Sequence, residues 1–175
     1  MNKKIRILGI DPGTATTGFG LIESDNKINV LLDFGWIKTD KEESKENRLV
    51  TIYEEMTILL NKHKPDVMAI ERLFFATNVK TAMAVSEACG VIRLAAAKSK
   101  TPIYDYAPMH IKMIVGGSGR ADKTVMKQTV RKLLKFRSPN KKKTYFDDVC
   151  DACAVAICHA QENMLDSSLE NSKRK

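Results

Sequence analysis

The sequence predicts an α/β domain built on a mixed five-stranded sheet, three antiparallel strands followed by two parallel ones, flanked by helices. Two observations carry this expectation. Three strand-like runs open the chain with only short connections between them, which makes them antiparallel neighbours. Beyond them helical and strand-like patterns alternate, and a strand reached through a helix can lie parallel to an earlier one.

Ile5 to Ile10 is an apolar strand, and Asp11, Pro12 and Gly13 turn it into a tight loop. Gly18 to Glu23 is the second strand, Ser24 to Lys27 a polar turn, and Ile28 to Lys38 the third strand, with Trp36 near its end. Thr39 to Glu46 is a charged link. Leu49, Ile52, Tyr53, Met56, Leu59 and Leu60 then recur at helical spacing, and Pro65 closes that region. Val67 to Ile70 is short and wholly apolar, as befits a central strand. Thr77 or Asn78 can cap a long helix to about Lys98. Its many small residues, among them Ala84, Ala88 and Gly90, allow close approach of the sheet or of a second subunit. Pro102 to Tyr106 is the fifth strand and Pro108 to Val115 a short helix. Gly116 to Gly119 is glycine-rich, and Asp122 caps a helix to about Phe136. A basic loop, Ser138 to Thr144, leads to a last helix, Asp147 to about Leu165. The polar tail 166–175 is expected to be disordered, so residues 1–165 form a single domain. The element order is that of the ribonuclease-H-like fold.

The 175 residues suffice for one domain with a substantial core. A formal net charge of +8 favours a polyanionic partner and salt-sensitive binding. No apolar run approaches the roughly 20 residues of a membrane span, and the N-terminus lacks a signal-peptide pattern. A cytoplasmic protein without membrane contact is expected. Cys89, Cys150, Cys153 and Cys158 are then not disulfides. Cys150 and Cys153 have C-x-x-C spacing. On a continuous helix, however, they share an apolar face with Ala154 and Ile157, where cysteine acts as a small hydrophobe rather than a zinc or redox ligand.

Four acids are the candidate chemistry. Asp11 and Glu71 each end an apolar strand, where a buried unpaired carboxylate would be costly. At the ends of adjacent parallel strands they would emerge side by side. Asp148 and Asp151 share one helix face in its first turn. Acids there are also common helix-start residues, and Asp147 can be an N-cap. Together the four could hold two hard cations such as Mg2+, with Mn2+ a substitute, for phosphodiester cleavage.

These segments resemble a known family. Ile10-Asp11-Pro12-Gly13, continuing through Thr17-Gly18-Phe19-Gly20, is similar to the opening signature of the RuvC family of Holliday-junction resolvases. Ala69-Ile70-Glu71 followed by Phe74 resembles its second motif, and Gly119-Arg120-Ala121-Asp122-Lys123 its basic loop. Asp148-Val149-Cys150-Asp151-Ala152, running on to Ala160, resembles its acidic helix. The order and spacing match over nearly the whole chain to about residue 165. Val149, Cys150 and Cys153 depart from the family's usual alanines, and Lys141 to Lys143 is an unusual lysine run.

The resemblance implies a homodimeric endonuclease that nicks four-way DNA junctions symmetrically in recombination and repair, alongside the RuvA–RuvB branch-migration machinery. It places the metal-binding tetrad on Asp11, Glu71, Asp148 and Asp151. It favours Phe74 as a wedge among unstacked bases, though Phe74 and Phe75 can equally be core, and puts Lys112 and Lys123 at the scissile region. Arg120 and Lys123 can approach a phosphate from the glycine-rich loop. Lys127, Arg131 and Lys135 form a stripe that is either a solvated face or a DNA contact, with Val125, Val130, Leu133 and Leu134 turned to the core. His159 lies about 16 Å along the helix from Asp148, too far to share a metal. His110, near Lys112, is a weaker candidate for a supporting or DNA contact.

Three other readings remain open from sequence. Asp11 to Gly18 can pass for the phosphate hairpin of an actin- or sugar-kinase-type phosphotransferase, although that fold needs two lobes. A junction-binding scaffold without catalysis is another. A ribonuclease-H-like enzyme acting on RNA–DNA hybrids is the third.

Overall fold

The computed structural model describes residues 4–25, 28–72, 79–135 and 146–172. Strands β1 (Ile5–Asp11), β2 (Thr16–Ser24) and β3 (Asn29–Lys38) form an antiparallel meander. Helix α1 (Lys45–His63) leads to β4 (Val67–Glu71), which pairs parallel to β1. Helix α2 (Val79–Lys98) leads to β5 (Ile103–Tyr106), parallel to β4. The sheet order is β3-β2-β1-β4-β5, the mixed five-stranded arrangement that the sequence predicts. Helices α3 (Pro108–Gly116), α4 (Lys123–Leu134) and α5 (Phe146–Ser172) complete the described chain.

Each face of the sheet has its own core, because successive strand residues point to opposite sides. Leu8, Ile10, Leu21, Met68 and Ile70 pack with Ile52, Met56 and Ile92 of α1 and α2. Ile7, Ile22, Val67 and Ala69 pack with Val149, Cys153, Ala156 and Ile157 of α5, and with Met126 and Val130 of α4. Residues 7–10 of β1 and 67–70 of β4 are buried throughout, covered on both faces, which is why these stretches read as apolar without alternation.

Helix α5 lies unusually close to the sheet. A side-chain carbon on Gly9 would sit 2.1 Å from the Ala152 carbonyl oxygen, and one on Gly18 would sit 2.3 Å from that of Asp148. Glycine in β1 and β2, together with alanine on α5, thus sets the depth at which the helix rests. The free cysteines belong to this packing: Cys150, Cys153 and Cys158 are buried in the α5-side core and Cys89 in the other. Burial pushes the Cys150 thiol up to about 11 and that of Cys158 to about 12.

Several boundaries differ from expectation. α4 ends at Leu134, and Lys135 is its left-handed cap (φ 50°), donating its N–H to the Arg131 carbonyl. Lys135 therefore leaves the basic stripe. The buried face of α4 is Met126, Val130 and Leu134, whereas Val125 and Leu133 are exposed. The i, i+4, i+8 row faces the core, and residues one position before it turn away by about 100°. α5 begins at Phe146, so Asp147 lies inside its first turn rather than at the N-cap. The same helix runs on to Ser172, beyond the end expected near Leu165. The proposed caps Thr77 and Asn78, the DNA candidate Phe74 with its neighbour Phe75, and Lys141 to Lys143 lie outside the described residues.

Candidate active site

Asp11 and Glu71 are placed by strand register. Ile10 pairs with Ile70 across β1 and β4, so the next residue of each strand, an acid in both, ends the pair at one edge of the sheet. The loop after Asp11 is held firmly. Buried Thr17 donates its hydroxyl to the Gly13 carbonyl at 2.7 Å, and Thr39 does the same to Thr14 at 2.6 Å. Arg48 of α1 in turn donates to the Thr39 hydroxyl at 2.9 Å.

Asp11, Glu71 and Asp151 line a single cavity of about 280 Å³, together with Lys112, Lys123, Pro108, Ile111, Met126 and Ala154. Asp148 stands at its margin, one helical turn before Asp151, where its charge still acts on Asp11. Burial, followed by the charges of Glu71, Asp151 and Asp148, pushes the Asp11 carboxyl up to about 8, while Lys123 opposes the shift. Glu71 is pushed up to about 7 by burial and then by Asp151, against the pull of Lys112 and Lys123. Burial also raises Asp151 and Asp148, and Lys123 opposes both. Burial first, and then neighbouring acids, oppose the charged form of all four.

Among the described residues, no three His, Cys, Asp or Glu side chains close into a ready chelate. Like-charged carboxylates at a common cavity stand apart until a cation offsets their repulsion. The donor set fits a hard divalent ion: carboxylate oxygens alone, half-buried or deeper, whose charge is opposed by burial and then by neighbouring carboxylates.

The basic candidates divide. Lys112 (α3) and Lys123 (the first residue of α4) reach the acids. Pro108 starts α3, left-handed Gly117 (φ 76°) ends it, and buried Ile111 and Val115 fix it, which holds Lys112 over Glu71. Asp122 caps α4 by accepting from the Val125 N–H at 2.9 Å. Lys127 is tied by a 2.6 Å ion pair to Asp147 of α5. Arg120 and Arg131 are exposed and do not line the cavity.

The sequence reading missed a buried polar chain behind the site. The Tyr106 hydroxyl and His159 Nδ1 lie 2.6 Å apart, and His159 Nε2 meets Asn163 at 2.9 Å. His110 contacts Glu162 of α5. His159 is 2% exposed, and burial lowers its pKa against the opposing charge of Glu162. These contacts bind α5 to β5 and α3. The histidines were visible in the sequence, but the pairs Tyr106–His159 and His110–Glu162 lie 53 and 52 residues apart and no local pattern signals them; only the Asn163 contact is local.

A ribonuclease-H-like sheet with carboxylates gathered at one end, flanked by lysines, defines a nuclease. A crossover junction endodeoxyribonuclease RuvC family model matches residues 7–159, and the chain belongs to the RuvC family. RuvC of Caldicellulosiruptor saccharolyticus is 44% identical, covering 89% of this chain and 92% of its own. RuvC of Alkaliphilus oremlandii is 46% identical over 88% of this chain and 92% of its own. Among solved structures, Thermus thermophilus RuvC in complex with a Holliday junction substrate matches with a TM-score of 0.84 at 28% identity, covering 93% of this chain and 96% of that one. The yeast mitochondrial Holliday junction resolvase Ydc2 shares the fold at 14% identity, with a TM-score of 0.67 over 97% of this chain and 85% of that one.

Proposed function

We propose that this chain resolves four-way DNA junctions by metal-dependent nicking during recombination and repair, leaving 5′-phosphate and 3′-hydroxyl ends. The observation that carries the proposal is the convergence of Asp11, Glu71 and Asp151 with Lys112 and Lys123 on one cavity, in a chain of the RuvC family. Asp11, Glu71, Asp148 and Asp151 would hold Mg2+ or Mn2+. Such an ion supplies a Lewis acid that polarises the phosphodiester and makes attacking water acidic.

The chain's own groups do the rest. Lys112 and Lys123 draw the scissile phosphate into the cavity and hold its negative oxygens against the acids. Arg120, Lys127 and Arg131, outside the cavity lining, act as backbone contacts, which position DNA without reading it. The apolar floor of Ile111, Met126 and Ala154 excludes bulk water from the acids.

Symmetric nicking calls for two such sites, and hence a homodimer. The outer face of α2 suits a second copy. Met83 and Leu94 are exposed there, and a methyl group added at Gly90, between them, would meet nothing within 4 Å, which leaves room for close approach. A cytoplasmic setting suits the four free thiols. No helix among the described residues is long and apolar enough to cross a membrane. Cooperation with a RuvA–RuvB complex is part of this proposal, and membership of the RuvC family is what supports it. We read residues 1–165 as one nuclease domain.

A substrate panel tests the proposal: a synthetic four-way junction, plain duplex and RNA–DNA hybrid, each with and without magnesium. Paired nicks in the junction, dependent on the metal, are expected. Hybrid cleavage in preference to the junction, or ATP turnover without DNA, would contradict it.

A further inference from the structure

A lane of aromatic and basic side chains leads from the acidic cavity across the end of the sheet. Antiparallel register sets Asp11 opposite Gly18, and Gly18 opposite Trp36. The Trp36 backbone therefore lies two strand spacings, about 10 Å, from that of Asp11. Its side chain has a definite face. Phe34, two residues earlier, packs against the α5-side core, whereas Gly35 abuts Phe19 and Ile37 enters the core beneath α1. Alternation along β3 thus turns Trp36 to the α5 side, the face occupied by Asp148. Gly18 has no side chain there, and the Asp148 backbone fills its place. Trp36 flanks Asp148 on the side away from Asp11.

The indole is 45% exposed on the sheet's outermost strand. On the next rung Thr16 pairs with Lys38, which shares the face of Trp36. Lys38 lines a cavity of about 560 Å³ with Thr16, Thr39, Asp40 and Lys41. An exposed ring followed by lysines, in a chain of net charge +8, is the pattern by which proteins hold unpaired strands: the ring stacks on a base and the cations follow the phosphates. Duplex bases are already stacked and offer the ring nothing. At a branch point they can unstack.

We infer that Trp36 and Lys38 extend the DNA-binding surface across β3, with Trp36 stacking on an unpaired base beside the scissile phosphate and Lys38 contacting the backbone that leads away from it. The inference rests on the junction-nuclease reading above.

Trp36 is the only tryptophan in the chain, so its emission reports on this position alone. The full-length Asp11→Asn protein, which should bind without cutting, is titrated with a synthetic four-way junction while a gel shift follows binding. Stacking predicts a saturable quench that tracks binding and is weaker with plain duplex. Trp36→Ala should lower junction affinity about tenfold or more, as loss of one stacked base does, while Trp36→Phe keeps most of it. Lys38→Gln should reduce the salt slope of binding by about one. Thermal melting of Trp36→Ala like that of wild type excludes a folding defect. Silent emission at a saturated junction, or unchanged affinity of Trp36→Ala, overturns this inference and leaves the nuclease reading intact. Failure of the wild-type chain to bind or nick junctions at all removes both.

Discussion

At Asp11 the fold holds a carboxyl where burial and three other acids oppose its charge. This has a consequence for stability that needs no DNA. The folded pKa is about 8, far above the usual unfolded value of about 3.9. The folded protein therefore binds the extra proton, and the destabilisation is absent below about pH 4 and complete above about pH 8. Glu71, raised to about 7, acts in the same sense. Metal-free Asp11→Asn should melt above metal-free wild type at pH 8, with the gap closing toward pH 4, as differential scanning calorimetry would show. The same variant should lose nicking almost completely and still bind junctions. The strand-end acids could be read from the sequence because a charge that terminates an apolar run has few ordinary explanations. Asp148 and Asp151 could not be assigned in the same way, since any helix start welcomes acids. Only the packing of α5 brings them to Asp11.

That packing belongs to the scale of the element. α5 rests on Gly9 and Gly18 without room for a methyl group, so its depth fixes how far Asp148 and Asp151 stand from the strand ends. Gly18→Ala would push the Asp148 backbone outward. A misplacement of about 1 Å can cost on the order of 100-fold in rate, so nicking should fall by that order while junction affinity changes little. Single-turnover cleavage beside a gel shift separates the two effects. Lys127 presents a second case. Its ion pair with Asp147 joins α4 to the first turn of α5. Lys127→Gln should therefore slow cleavage more than a loss of one phosphate contact would. Helix and strand order was legible because apolar periodicity is a local signal. The close seat of α5 was not: a glycine in a strand does not announce what approaches it. The buried face of α4 was misjudged by one position, since two neighbouring apolar residues compete for the same face and only the core decides.

For the molecule as a whole, the charge distribution and the sheet topology act together. The excess of lysine and arginine gives a net +8, and the four candidate acids lie at the C-terminal ends of β1 and β4 and at the start of α5. On the proposed reading, DNA is attracted by the net positive charge and cut at this acidic cluster once a cation is bound there. Junction affinity should fall steeply between about 50 and 200 mM salt, with a log–log slope set by the number of phosphates engaged. Family membership was legible from motifs in order along the chain, and the mixed sheet from three closely connected strands followed by alternating helices and strands. The Asp11–Gly18–Trp36 rung was not, because it depends on a register that becomes countable only once the strands are paired. The central claim is that distant acids form one cation site, and anomalous diffraction from manganese-soaked crystals tests it most directly. A shared site predicts manganese density in the cavity, with carboxylate oxygens of Asp11, Glu71 and Asp151 within about 2.3 Å, lost in Asp11→Asn crystals. Manganese bound elsewhere, or bound unchanged in that variant while the wild type still nicks junctions with manganese, would contradict it.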